Sequence, residues 1–173
     1  MIDGSDWNPE KRNIVLIGMM SCGKSTIGAM LAKKLGWDLV DTDQLIESRE
    51  GRSISEIFAT DGEGYFRDQE LGVSEELARG RNLVIACGGG LPMRADCIGS
   101  LKYSGTVIWL CRDPGETYDS MDTSGRPLAQ QGKQDFLNRF AQREPIYRQW
   151  ADHVITDFSS PEHTLNAILE VLK

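Results

Sequence analysis

Apolar residues gather along this chain in short runs rich in β-branched side chains. Longer stretches separate the runs, with apolar positions every three or four residues. Five runs stand out: Asn13–Ile17, Asp38–Val40, Leu83–Ala86, Thr106–Leu110 and His153–Thr156. The first, third and fourth are apolar almost throughout, which predicts strands covered on both faces at the centre of a parallel sheet. Between them, Lys24–Leu35 has helical spacing and stops at Gly36, and Ser53-Ile54-Ser55-Glu56 is a capping box that opens another helix. Gly64–Arg79 keeps the helical period up to Gly80. The last helix takes Ser160 as its N-cap and Pro161 as its first residue. Strands alternating with helices in this way make an α/β fold, a five-stranded parallel sheet flanked by helices in three layers.

The chain has 173 residues, 40% of them apolar, which suits one domain spanning residues 1–173 around one packed core. No apolar stretch approaches the roughly 20 residues that cross a bilayer, and Met1–Arg12 is polar, so a soluble, cytoplasmic protein is expected. Cys22, Cys87, Cys97 and Cys111 are too far apart for a CxxC metal pattern and are expected as reduced thiols. A net charge of −7 argues against a nucleic-acid or anionic-membrane partner. An anionic ligand must then be held by a local cluster of basic groups, and a monomer is expected.

Gly18-Met19-Met20-Ser21-Cys22-Gly23-Lys24-Ser25-Thr26 reads G-x-x-x-x-G-K-[ST] directly after an apolar strand and before a helix. The glycines let the backbone curl so that successive N–H groups point at one phosphate, and the helix N-terminus adds partial positive charge. Lys24 reaches the β- and γ-phosphates of a nucleoside triphosphate, and Ser25 offers a hydroxyl to Mg²⁺. Cys22 sits inside this loop, either as a packed small residue or as a thiol sensitive to oxidation. Asp119–Gly132 is polar, carries two glycines and lacks apolar periodicity. It predicts a mobile loop between two helices, where a phosphotransferase would carry a lid.

The acceptor of the phosphate must be read elsewhere, because this loop serves many reactions. The second strand ends in Asp41-Thr42-Asp43, two carboxylates at the edge where α/β sheets bind ligands. One can serve Mg²⁺ and the other a substrate hydroxyl; the alternative is a turn in which an Asp caps the next helix. The third strand runs into Cys87-Gly88-Gly89-Gly90, where other proteins with this loop place a metal-holding Asp. Asp41 is therefore the candidate partner of the metal, and the bare glycine backbone suggests close approach of a ligand.

Taken in order, Gly18–Thr26, Asp41-Thr42-Asp43, Phe66-Arg67 with Glu70, Gly88–Gly90, Arg126-Pro127-Leu128, and Arg143 with Tyr147 resemble the shikimate kinase family across essentially the whole chain. The resemblance implies a three-layer P-loop kinase fold with a mobile lid, and transfer of the γ-phosphate of ATP to the 3-hydroxyl of shikimate in the pathway to chorismate. It implies that Arg67 and Arg143 grip the substrate carboxylate beside Phe66, helped by the backbone of Gly88, Gly89 and Gly90. It also implies that Asp43 contacts the ring hydroxyls and acts as base, that Arg126 closes over the phosphates, and that Pro161 flanks adenine. The implied catalytic residues are Lys24, Asp43 and Arg126. Gly18, Ser21, Cys22, Gly23, Lys24, Ser25 and Thr26 would hold the phosphates, with Ser25 and Asp41 at Mg²⁺.

One departure stands out. Relatives usually carry an adenine-stacking arginine about seven residues before Arg126, and this chain has Asp119 and Ser120 in that region, with Arg112 as a possible substitute. Two other readings stay open, a related small-metabolite kinase such as one acting on gluconate, and a nucleotide-binding relative that does not catalyse.

Overall fold

The computed structural model describes residues 11–121 and 132–173. In chain order the elements are β1 (Asn13–Ile17), α1 (Lys24–Leu35), β2 (Asp38–Asp41), α2 (Thr42–Glu50), α3 (Ile54–Thr60) and α4 (Gly62–Ala78). Next come β3 (Leu83–Ala86), a 3₁₀ turn at Leu91–Met93, α5 (Ala95–Ser104), β4 (Gly105–Leu110) and α6 (Pro114–Ser120). The chain ends with α7 (Lys133–Trp150), β5 (His153–Ile155) and α8 (Pro161–Val171). The five strands are parallel, in the order β2-β3-β1-β4-β5. The three nearly all-apolar runs are therefore the three central strands, as their composition predicts.

β1 shows why the sheet needs cover on both sides. All five of its residues are fully buried, and their side chains alternate between two cores. Val15 and Ile17 join Val107, Trp109, Phe66, Leu77, Leu101 and Tyr147 on one face. Ile14 and Leu16 join Ile27, Leu31, Ile108 and Ile168 of α1, β4 and α8 on the other. Asn13, the polar residue of the strand, closes its lower end: Nδ2 donates to the Gly80 carbonyl at 3.1 Å and Oδ1 accepts from the Leu83 amide at 3.1 Å. A buried polar group is tolerated there because its hydrogen bonds are made.

The helix boundaries follow local chemistry. α1 ends where Gly36 adopts φ 69°, and α3 opens on a reciprocal capping box between Ser53 and Glu56. α7 runs through Pro145 in its interior, although proline there removes the amide that would bond back to Ala141. α6 reaches Ser120, so helical structure enters the expected 119–132 loop at its start, while α7 begins directly after it at Lys133. The remainder of that expected lid, with Arg126, Pro127 and Leu128, lies outside the described residues.

The chain leaves the carboxyl end of β1 through α1 on one face and the carboxyl end of β3 through α5 on the other. Connections departing to opposite faces leave a crevice between those strand ends, where open α/β sheets bind ligands. No helix among the described residues is long and apolar enough to cross a membrane.

Candidate active site

The first wall of the crevice is the loop between β1 and α1. Its curl depends on Gly18, at φ 149°: a Cβ there would lie 2.8 Å from both the Cys22 sulfur and the Leu110 carbonyl oxygen. Ser21 holds φ 61°, a conformation that costs an L-residue about 1 kcal/mol. Each buried aliphatic side chain of the adjoining strand contributes about 2 kcal/mol, so the fold outweighs that strain. No side chain caps the N-terminus of α1 and no acidic residue occupies its first turn, which leaves its first amides and its dipole directed at the loop. Lys24 is buried and folds back over the loop, with Nζ donating to the carbonyls of Gly18 at 2.9 Å and Met19 at 2.6 Å. Cys22 is packed against Gly18, with its sulfur 3.6 Å from the Lys24 ammonium.

The second wall comes from the end of β2. The strand stops at Asp41 and α2 begins at Thr42, so the two carboxylates do not share a strand face. Asp41 does two things at once. Its Oδ1 caps α2 by accepting the Gln44 amide at 3.1 Å, and its Oδ2 accepts the Ser25 hydroxyl at 2.7 Å. A hydroxyl and a carboxylate oxygen thus meet at the mouth of the loop. This is a hard-oxygen pair of the kind that suits Mg²⁺, which needs only one or two protein ligands when phosphates and water supply the rest.

Asp43, in the first turn of α2, lies deeper. Its pKa is raised to about 7, first by desolvation and then by the carboxylates of Glu70, Asp41 and Glu47, against the opposing pull of Lys24. A carboxyl poised near neutrality is matched to proton transfer. The cleft in front of it has a volume of about 540 Å³ and is lined by Met20, Lys24, Ser25, Asp41, Asp43, Glu47, Ile54, Phe58, Gly88 and Gly89.

The third wall is the glycine run after β3, and it joins the phosphate loop to a cationic corner. A Cβ on Gly89 would fall 3.3 Å from the Met20 amide nitrogen and 3.2 Å from Arg143 Nη1. A Cβ on Gly90 would fall 2.9 Å from Arg67 Nη2 and 3.4 Å from Arg143 Nη2, so one point in space adjoins both guanidinium groups. Arg67 is oriented by the buried carboxylate of Glu70 one turn along α4, and also by Glu63 at 3.2 Å. Burial raises the Glu70 pKa, and Arg67 is the largest of the opposing influences. Two planar cations side by side against bare backbone form a receptor for a carboxylate. Phe66 is buried and packs edge-to-face on Phe58 at 5.0 Å, so Phe58 rather than Phe66 lines the cleft.

Gly88 fits its position through the absence of a side chain. A Cβ would lie 2.4 Å from Asp43 Oδ1 and 2.9 Å from Asp43 Cγ. A G88A variant is expected to fold, displace the Asp43 carboxylate and lose about 10²-fold in turnover, as a displacement of about 1 Å does at a reacting centre. Steady-state kinetics beside a melting curve will show it; a G88A enzyme with undiminished kcat would contradict this.

The structure therefore brings together Gly18, Ser21, Cys22, Gly23, Lys24, Ser25, Thr26, Asp41, Asp43, Arg67, Gly88, Gly89, Gly90 and Arg143. Pro161 stands at the first position of α8, with Ser160 as its N-cap. Arg126 lies outside the described residues. Asp119 is ion-paired with Lys133 at 2.9 Å, across the bases of α6 and α7. Four residues had no assigned role in the sequence reading. Glu70 orients Arg67, and Thr42 and Tyr147 bond the glycine run at 2.9 and 2.6 Å. Arg139, one turn before Arg143, is half-buried, and its pKa is lowered by burial and by Arg143. Only Glu70 carried a local signal, an acid three positions from an arginine on one helix.

Comparison with known proteins points one way. The family model described as "Shikimate kinase" matches residues 20–173. A shikimate kinase of Persephonella marina is 40% identical over 159 residues, 91% of this chain and 97% of that one. Another from Symbiobacterium thermophilum is 40% identical over 169 residues, 93% of this chain and 96% of its own. Among solved structures, the shikimate kinase of Acinetobacter baumannii in complex with shikimate superposes with a TM-score of 0.87 at 34% identity, covering 94% of this chain and 93% of that one. A gluconokinase of Sinorhizobium meliloti, at 13% identity and TM-score 0.55, shares the fold alone.

Proposed function

Since this chain belongs to the shikimate kinase family, we propose that it transfers the γ-phosphoryl group of ATP to the 3-hydroxyl of shikimate, giving shikimate 3-phosphate and ADP. The observation that carries this reading is the convergence of Arg67 and Arg143 on Gly90, with the adjacent Gly89 against the phosphate loop at Met20. An organic acid docked on the two arginines lies between them and the site of the triphosphate.

In the proposed mechanism the amides of the Gly18–Thr26 loop and of the α1 N-terminus receive the phosphates. Lys24 exchanges the Gly18 and Met19 carbonyls for β- and γ-phosphate oxygens. Ser25 and Asp41 would hold Mg²⁺, which when bound neutralises charge on the phosphates. Asp43 accepts the proton of the acceptor hydroxyl as its oxygen approaches phosphorus, the work for which a pKa of about 7 suits it. The cleft orients both partners and excludes water, so catalysis is chiefly positioning and charge stabilisation. Arg126 would add positive charge over the transferred group and Pro161 would flank the base; both assignments rest on likeness to the family. On the same ground we take the enzyme to be a cytoplasmic monomer with a lid at about residues 119–132.

A coupled assay should show ADP formation that requires both shikimate and Mg²⁺, with gluconate as a comparison acceptor. ADP release that shikimate does not stimulate, or a preference for gluconate, would overturn the assignment.

A further inference from the structure

The glycine run Gly88–Gly90 has no side chains with which to hold its own shape, yet it must keep a fixed backbone between Asp43, the phosphate loop and the two arginines. The hydrogen bonds show how it does so. Gly88 donates its amide to Thr42 Oγ1 at 2.9 Å, across 46 residues of chain. Gly89 presents its carbonyl to the Tyr147 hydroxyl at 2.6 Å. The carbonyls of Gly88 and Gly90 accept from Leu91 and Met93 in the following turn, each at 3.1 Å. Every polar backbone atom of the run is then bonded among the described residues except two, the N–H groups of Gly89 and Gly90, and these belong to residues at which a Cβ would meet the guanidinium groups of Arg143 and Arg67.

Both anchors are themselves immobile. Thr42 and Tyr147 are fully buried. Thr42 precedes Asp43 in the first turn of α2, so its bond to Gly88 also fixes the Asp43 carboxylate against that glycine. Tyr147 lies one turn beyond Arg143 on α7, with its ring 5.8 Å from Trp109 and its hydroxyl 3.6 Å from the sulfur of Met19 in the phosphate loop. Burial pushes its phenol up to about 12, so it remains a donor across the working pH range.

We propose that Thr42 and Tyr147 are positioning residues for the acceptor half of the site, clamping the glycine run at Gly88 and Gly89 so that the free amides of Gly89 and Gly90, with Arg67 and Arg143, form one preorganised receptor for the acceptor's carboxylate. This rests on the proposed shikimate kinase reading. Thr42 bonds the glycine run, and Tyr147 meets the phosphate loop only through the Met19 side chain, so their loss is expected to act on the acid more than on the triphosphate.

The test compares full-length T42V, which keeps the shape of Thr42 and loses the acceptor oxygen, with T42S, which keeps the oxygen, and with Y147F. T42V and Y147F are expected to raise the KM for shikimate about 3- to 10-fold each, the effect of one hydrogen bond, with the KM for ATP unchanged within about 2-fold. T42S is expected to recover most of the acceptor affinity even where its melting temperature falls as far as that of T42V. The clamp is refuted by variants whose shikimate KM is unaltered, by equal rises in both KM values, or by a T42S enzyme no better than T42V. A wild-type enzyme without shikimate-dependent turnover would instead remove the functional reading, a result distinct from any of these.

Discussion

Replacing Asp43 with asparagine is expected to lower turnover by about 10²- to 10⁴-fold, the range that general-base catalysis supplies, while leaving ADP affinity close to wild type by calorimetry. The nucleotide seat is built from the Gly18–Thr26 loop, and Asp43 is not part of it. In the wild-type enzyme the active form of the base is the carboxylate, whose population grows as pH rises through about 7. The profile of kcat/KM should therefore climb toward an apparent pKa near 7 and level above it, and D43N should lose that limb. The same group bears on stability. Its folded-state pKa of about 7 lies above the ordinary 3.8, so the folded protein holds a proton that the unfolded chain has released between those values. Stability is thus lost as pH rises through this window. Accordingly, D43N should melt at a higher temperature than wild type at pH 8, and the gain should vanish toward pH 4. An inactive D43N with no such pH-dependent gain would mean that Asp43 is not held in a desolvating site.

Removing the Arg67 guanidinium is expected to act twice. An R67M enzyme loses one of two donors for the acceptor carboxylate, which should raise the KM for shikimate by about 10²-fold with a much smaller change for ATP. It also strands Glu70, whose side chain is 1% exposed and whose main counter-charge is Arg67. A buried carboxylate without its partner costs about 3 kcal/mol or more. Burial alone raises the pKa of such a group, so the folded variant takes up a proton before the unfolded chain does, and stability is regained as pH falls. Denaturant unfolding of R67M and of R67M/E70Q separates the two effects. The double variant should recover stability at neutral pH and still bind shikimate poorly. Recovery of both properties together would show that Arg67 serves the fold and not the substrate.

These expectations stand on features of unequal visibility in the sequence. β1, β3 and β4 were legible because strands buried on both faces need apolar residues at every position, which leaves an unbroken signal. The phosphate loop was legible because its backbone path demands particular residues at fixed spacing. β2 reads less cleanly because it is an edge strand, with Leu39 partly exposed and Asp at both ends. Asp41 and Asp43 lie two residues apart in the sequence, a spacing that on a continuing strand would put both carboxylates on one face. The backbone turns into α2 between them, so Asp41 is both helix cap and Ser25 partner while Asp43 stands two residues on, half-buried in the first turn of α2. Thr42 and Tyr147 left no signal of role because their partners are backbone atoms 46 and 58 residues away, and a glycine amide or carbonyl has no sequence pattern to match.

The folded-back Lys24 has one further consequence. An ammonium seated on two loop carbonyls gives the loop an internal cross-link, so its turns are supported from within. Nucleotide entry then swaps one set of oxygen acceptors for another, with little new ordering of backbone to offset the attraction between opposite charges. Neutralising this lysine would slacken the loop as well as weaken its grip on phosphate, and K24M measured without added nucleotide should show faster amide hydrogen exchange around Gly18–Gly23.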